Sequence, residues 1–290
     1  MEVVRTVEWM KEASAGLRQE GRRIGLVPTM GALHEGHLSL VRAAREQTEA
    51  VVVSIFVNPT QFGPQEDLQR YPRNLERDQQ LLENERVDFL FAPPVEEMYP
   101  DGFTTYVTVQ RLSEKLCGRS RPGHFRGVAT VVLKLFEVVE PHVAFFGQKD
   151  AQQSVILRRM VRDLSLPVEI VVCPIVREPD GLALSSRNLL LSPEKRRAAL
   201  VLSQSLASAR QKIEAGERRA EPLLAEMRNL ILRESRARVD YIEMVDLETL
   251  EAKLAVAGPT LIALAVWFGS TRLIDNMIVE EREGRIRYSL

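Results

Sequence analysis

Pro28-Thr29-Met30-Gly31-Ala32-Leu33-His34-Glu35-Gly36-His37 follows a short apolar run, Ile24 to Val27, and leads into Leu38-Ser39-Leu40-Val41-Arg42-Ala43-Ala44, which has helical spacing. A strand, a glycine-bearing turn and a helix start are predicted in succession, the unit from which parallel sheets are built. His34 and His37 stand three apart, so on a helix they share one face with Cβ atoms roughly 5–6 Å apart. With the helix beginning near Glu35 or Gly36, both imidazoles gather beside unpaired backbone N–H groups, where an anion is favoured. The pattern describes a phosphate site with two titratable donors. A zinc-protease reading needs histidines at i and i+4 with a third ligand. Here the spacing is i+3, and the other histidines, His124 and His142, fall in no ligand-spaced cluster.

Working outward, Val3 to Gln19 has the pattern of a first helix, and Ala50 to Val57 is a nearly continuous β-branched run suited to a strand buried on both faces. That run ends at Asn58-Pro59-Thr60-Gln61-Phe62-Gly63-Pro64, rich in turn formers. Arg73 to Glu85 follows as a helix and Asp88 to Phe91 as a strand, while the alternation of Thr104 to Val109 suggests an edge strand. Gly127 to Val139 is too long for a strand and is assigned as a helix despite its β-branched content. His142 to Phe146 is a fourth core strand ending at Gly147-Gln148-Lys149-Asp150, Ala151 to Asp163 a helix, and Val168 to Val172 a fifth strand.

Such alternation predicts an α/β fold, with a Rossmann-like parallel sheet and right-handed crossovers in an N-terminal domain, 1–175. Ligands of open sheets of this kind bind beyond the carboxyl ends of the strands. The turn after the first strand, the Asn58–Gly63 loop and the Gly147–Asp150 loop all fall at such ends. After Pro174 the character changes to charged amphipathic helices, Ala198 to Arg210 and Glu221 to Ser235. Short strands follow at Asp240 to Val245, Thr260 to Phe268 and Met277 to Glu281. This is a smaller α+β C-terminal domain, 176–290, expected to pack closely on the first and to serve as its lid.

The 290 residues are 45% hydrophobic and 27% charged, globular values, and the formal charge of -1 gives no basic excess for a nucleic-acid or anionic-membrane partner. Cys117 and Cys173 lie far apart and suit a reducing compartment as structural thiols. The opening MEVVRTVEWMKEAS lacks the apolar core and cleavage site of a signal peptide, and no apolar run approaches the ~18 residues of a membrane span. A cytoplasmic protein is expected.

Lys149, at a strand end and helix start, is a point-charge donor suited to phosphate, against the alternative of a solvated surface lysine. Ser185-Ser186-Arg187-Asn188 offers two hydroxyls and a guanidinium fork for phosphate oxygens, and taken alone also fits a helix-capping turn. Gln61 and Gln153 supply neutral amides that could orient a small hydroxy acid.

Together these stretches resemble the pantothenate synthetase (pantoate–β-alanine ligase) family, part of the larger nucleotidylyltransferase group that shares the HEGH-type turn. The resemblance is carried by Pro28–His37, by Val57–Pro64 with Tyr71-Pro72-Arg73, and by His124-Phe125-Arg126-Gly127-Val128. It continues through Phe146–Gln153, Asp180–Asn188 and Thr271-Arg272-Leu273-Ile274-Asp275-Asn276. Ala151 departs from the family, where an aromatic is frequent. The resemblance implies an ATP-dependent condensation of pantoate with β-alanine through a pantoyl adenylate, yielding pantothenate, AMP and pyrophosphate on the route to coenzyme A. It implies an ATP site lined by Met30, Gly31, Ala32, Leu33, His34, Glu35, Gly36, His37, Gly147, Gln148, Lys149, Asp150, Val176, Leu184, Ser185, Ser186 and Arg187. His34, His37, Lys149 and Arg187 would act on the phosphates, with His37 at the position of the family's proton donor. Gln61 and Gln153 would hold pantoate, Gln61 also lying near β-alanine. Mg²⁺ would bridge phosphate oxygens, with Asp78 as a candidate carboxylate, and a homodimer is implied. Competing readings are another nucleotidylyltransferase of the same fold, which would consume no amine, and a nucleotide-binding regulator without chemistry.

Overall fold

The computed structural model describes residues 1–64, 66–282 and 285–289. The chain divides into two compact units. The first comprises Met1–Glu114, Arg121–Gly147 and Gln153–Cys173, the second Lys115–Ser120, Gln148–Gln152 and Pro174–Leu290.

In the first unit the elements run β1 (Glu2–Val4), α1 (Val7–Gln19), β2 (Ile24–Thr29), α2 (Glu35–Gln47), β3 (Ala50–Ile55), α3 (Leu75–Asn84), β4 (Phe89–Phe91) and α4 (Val95–Met98). The short α5 (Cys117–Ser120) clusters with the second unit; α6 (His124–Val139), β5 (Val143–Gly147), α7 (Ala151–Asp163) and β6 (Glu169–Cys173) follow. Six strands form one parallel sheet in the order β1-β4-β3-β2-β5-β6. From β2 the chain winds outward through β3 and β4, then returns to β2's other side for β5 and β6. The order therefore reverses between β2 and β5, and the crevice at their carboxyl ends is where ligands of such sheets bind. Val51, Val52 and Val53 of β3 are fully buried, as their unbroken apolar run requires. Leu40, Val41 and Ala44 bury the core face of α2 against β2, β3 and β5, which fixes the direction in which its first turn points.

Two sequence expectations change here. Val3 and Val4 are not the start of a helix: β1 pairs parallel with β4, Glu2 opposite Phe89 and Val4 opposite Phe91, and α1 begins after Thr6, whose hydroxyl accepts the Trp9 N–H at 3.3 Å. Thr104–Val109 forms no strand; the Val107 N–H instead donates to Thr130 Oγ1 at 2.9 Å, so its alternation finds no strand partner.

The second unit contains α8 (Pro193–Ala198), α9 (Val201–Glu214) and α10 (Ala220–Leu232), followed by β7 (Ala237–Asp246), β8 (Thr260–Phe268), β9 (Thr271–Arg282) and β10 (Arg285–Ser289). The strands form an antiparallel sheet in the order β10-β9-β8-β7. Its own core joins Leu202, Leu206, Leu223, Met227 and Ile231 of the helices to Ile262, Leu264, Val266 and Met277 of the sheet. β9 is longer than the predicted Met277–Glu281 because β8 pairs along it from Thr271 onward, carrying polar Asp275 and Asn276 into the ladder.

Candidate active site

In the first unit, the turn after β2 is a strained loop held open by buried polar contacts. Gly31 and Ala32 both have positive φ, 79° and 51°, and for Ala32 this left-handed conformation costs about 1–2 kcal/mol. The compensation comes from Asp78 in the first turn of α3, only 1% exposed. Its two oxygens accept the Ala32 N–H at 2.8 Å and the Leu33 N–H at 2.9 Å. Arg77 donates to the Leu33 carbonyl at 3.1 Å, and Thr29 Oγ1 accepts the Gly31 N–H at 3.1 Å. Burial pushes the Asp78 carboxyl up, and the Leu33 and Ala32 amides pull it back. A Cβ on Gly31 would sit 3.0 Å from Ile55 and 3.1 Å from Asp78, a tight fit that would push on the Asp78 carboxylate, at a positive φ that already favours glycine. Asp78, expected as a candidate magnesium carboxylate, is buried here and holds the turn, each oxygen accepting one backbone N–H.

Helix α2 starts at Glu35, with His34 as N-cap and His37 in the first turn. The rings lie 4.1 Å apart between centroids, tilted by 34°. His34 N–H donates to His37 Nδ1 at 3.4 Å, which in a neutral His37 puts the proton on Nε2. Glu35 pairs with Arg42, which holds its carboxyl below the ordinary range, so Glu35 and Gly36 contribute backbone rather than side chain to the turn.

Gln61 belongs to the same unit and reaches the same turn. Its Nε2 lies 3.0 Å from Met30 Sδ. Asn58, 1% exposed, organises the 59–61 turn. Its Nδ2 donates to Gln61 Oε1 at 3.0 Å and to the Gly127 carbonyl at 3.1 Å. Its Oδ1 accepts Thr60 Oγ1 and Tyr99 OH, each at 2.8 Å. The Gln61 carbonyl faces His124 Nδ1 at 2.8 Å, and Arg121 bonds Glu66 at 2.6 and 2.7 Å. Gly127 brings α6 against this turn: a Cβ there would meet Thr60 O at 2.4 Å and Gln61 N at 2.7 Å. Asn58, Tyr99, Arg121, His124 and Gly127 carry no assigned role in the sequence reading, and Asp78 carries only that of a candidate magnesium carboxylate. Their partners are between 2 and 69 residues away, and only the Asn58-Pro59 turn and the His124–Val128 motif gave any local signal. Gly147 ends β5, and Gln153 stands half-buried on the first turn of α7.

The second unit holds the remaining residues. Gln148–Asp150 forms a 3-10 turn ahead of α7, with Lys149 Nζ 4.0 Å from Asp150. Val176 and Leu184 face each other across a hairpin, the Leu184 N–H donating to the Val176 carbonyl at 3.0 Å. Ser185 Oγ then caps the 3-10 turn Ser186–Leu190 by accepting the Arg187 N–H at 3.2 Å. The capping alternative therefore holds for Ser185, and the same cap fixes the backbone from which Arg187 projects. Among the described residues, no group of three or more His, Cys, Asp or Glu side chains could hold a metal ion.

A parallel sheet with a glycine-bearing βα turn and two histidines at its strand-order reversal has the architecture of the nucleotide-binding α/β proteins. The sequence model described as pantoate-beta-alanine ligase matches residues 2–278, and the chain belongs to that family. It is 59% identical to the pantothenate synthetase of Thermotoga petrophila over 279 residues, 96% of this chain and 100% of that relative. The crystal structure of the Thermus thermophilus pantothenate synthetase superposes with a TM-score of 0.91 at 50% identity, covering 95% of this chain and 98% of that one. A pantoate-beta-alanine ligase from Francisella tularensis, solved with beta-gamma ATP and beta-alanine, superposes at 0.79 with 36% identity, covering 95% and 97%.

Proposed function

We propose that this chain condenses pantoate with β-alanine at the expense of ATP, forming pantothenate, AMP and pyrophosphate. The observation that carries the reading is the Gln61 amide at Met30: a neutral acid-orienting group set on the phosphate-binding turn itself. A carboxylate oxygen of pantoate attacks the α-phosphorus, the bond to pyrophosphate breaks, and pantoyl adenylate forms. The β-alanine amine then attacks the acyl carbon, the acyl–phosphate C–O bond breaks, AMP leaves, and the amine proton is released. The residues' work in the first step is positioning and charge neutralisation. His37 Nε2–H and His34 donate to phosphate oxygens at the α2 N-terminus, Lys149 and Arg187 with Ser185 and Ser186 take the remaining phosphate charge, and Gln61 and Gln153 orient pantoate. Gly147, Gln148, Asp150, Val176 and Leu184 line the nucleotide.

Asp78 is given no metal role in this reading: it is 1% exposed and each of its oxygens already accepts a backbone N–H of the turn. Mg²⁺ would enter with the nucleotide substrate and help neutralise its phosphate charge. The lid role of residues 176–290, a homodimer and a cytoplasmic location belong to the same proposal; no described helix is long and apolar enough to cross a membrane. ATP–pyrophosphate exchange with pantoate as the only added acid tests the adenylation step, and its absence in folded protein refutes it. β-Alanine-dependent AMP release separates the ligase from a nucleotidylyltransferase that stops at the nucleotidyl product.

A further inference from the structure

Asp275 and Asn276, neighbours on β9, are each only 2% exposed, a costly place for polar side chains unless they are fully bonded. Asn276 Nδ2 donates to the carbonyl oxygens of Gln148 and Lys149, 3.0 Å to each, and its Oδ1 accepts Gln148 Nε2 at 3.2 Å. Asp275 receives a bidentate fork from Arg177 at 2.7 and 2.9 Å and the Asn276 N–H at 2.8 Å. Arg177 Nη1 also donates to the Gly181 carbonyl at 3.1 Å, at the tip of the hairpin that leads into Ser185–Arg187. Adjacent side chains on a strand point to opposite sides. One dipeptide therefore grips the backbone of Lys149 on one side and the base of the Arg187 hairpin on the other. Gln148 is held again from β10: its Nε2 donates to the Ser289 carbonyl at 2.9 Å, and Ser289 Oγ donates to its Oε1. Ser289 pairs with Ile278 across the sheet and lies beyond residue 278, where the family match stops.

We propose that Asp275 and Asn276 are positioning residues for the nucleotide step, a brace that sets Lys149 and Arg187 from a single strand, and that Ser289 of β10 completes it through Gln148. The proposal rests on the reading that Lys149 and Arg187 take phosphate charge. Its logic is that a flexible lysine delivers charge to a phosphate only as accurately as its own backbone is fixed, and two carbonyl contacts fix that backbone.

The test uses the full chain carrying Asn276→Ala or Ser289→Ala, each alone and combined with Lys149→Ala, with circular dichroism reporting folding. Asn276→Ala is expected to lower kcat/KM for ATP about 100-fold, the cost of roughly 1 Å of misplacement, with KM for pantoate unchanged. Ser289→Ala removes one hydrogen bond and is expected to lower it about 3- to 10-fold. In the Lys149→Ala background both effects are expected to shrink to about twofold, the scatter of unrelated sites. A folded Asn276→Ala protein with wild-type ATP parameters, or the same loss with and without Lys149, overturns the proposal. Should Asn276→Ala fail to fold, Ser289→Ala decides by the same comparison. Wild-type rates in Lys149→Ala alone overturn the phosphate role of Lys149 and the brace with it. An impaired Lys149→Ala beside unimpaired Asn276→Ala and Ser289→Ala overturns the brace alone.

Discussion

Gly127→Ala sets a favourable local term against a steric one. Alanine is better than glycine within a helix by about 1 kcal/mol, and Gly127 lies inside α6, so propensity alone favours the substitution. The added methyl, however, would lie 2.4 Å from Thr60 O, 2.6 Å from Thr60 C and 2.7 Å from Gln61 N, where ordinary contact begins at 3.4 Å. The obstacle is backbone, which cannot swing aside as a flexible side chain would. The turn is pinned by the Asn58 bonds to Thr60, Gln61, Tyr99 and the Gly127 carbonyl itself. Relief therefore requires α6 and the 59–61 turn to part by about 1 Å, which strains those bonds and moves the Gln61 amide off Met30. Overpacking costs about 1–3 kcal/mol, and the propensity gain offsets part of it, so the net loss of stability is about 0–2 kcal/mol. Activity is expected to suffer more: a 1 Å displacement of an orienting group costs about 100-fold, or about 2.7 kcal/mol in the barrier. Pyrophosphate exchange at varied pantoate, beside a thermal melt and ATP-binding calorimetry, reads these separately. The expected result is a folded protein that binds ATP normally with kcat/KM for pantoate about 100-fold down. Wild-type kcat/KM for pantoate in the folded variant would refute the argument that Gly127 is there to seat Gln61.

His37→Ala and Lys149→Ala are each expected to slow adenylation roughly 100- to 1000-fold, the scale of losing one preorganised donor, and single-turnover formation of pantoyl adenylate at a near-normal rate would remove that residue from the step. Asp78→Asn replaces an acceptor oxygen by an amide facing a backbone N–H, so stability should fall by about 1–3 kcal/mol in urea unfolding while the Mg²⁺ concentration for half-maximal rate stays put; a shift in that concentration would restore Asp78 as a metal ligand. His142 Nδ1 accepts the Ile24 N–H at 2.9 Å, and burial, with Arg18 and Arg23, lowers its pKa below the ordinary 6.5. The folded state therefore favours neutral His142: the contribution is full above pH 6.5 and is lost as pH falls through the lowered folded value. Urea midpoints should drop on that descent more steeply in the wild type than in His142→Asn, and parallel pH profiles for the two proteins would refute the assignment.

What was legible in the sequence is what neighbouring residues decide among themselves. The β-branched run of β3, the helical spacing of α2 and the glycine in the turn between them are local patterns, and the helix starts at Glu35 as the histidine spacing requires. The motifs that carried the family resemblance were equally local. Elements fixed by a distant partner were misread: β1 is a strand only because β4 pairs with it, and Thr104–Val109 alternates like a strand yet has no ladder to join. The same division runs through the site. His34, His37, Gln61 and Lys149 stand out by their chemistry at strand ends, and Arg187 by its place in Ser185–Asn188, which a reader of sequence can find. Asn58, Gly127 and the Asp275–Asn276 pair do not, and Asp78 did so only as a candidate metal carboxylate, because what these residues do, bonding distant backbone or leaving it room, depends on parts of the chain far away. The sequence by itself singled out the residues proposed to meet a phosphate or an acid. Only the tertiary structure decided how firmly each is held, because the cost of leaving a buried donor or acceptor unpaired is settled by whichever groups folding brings within about 3 Å.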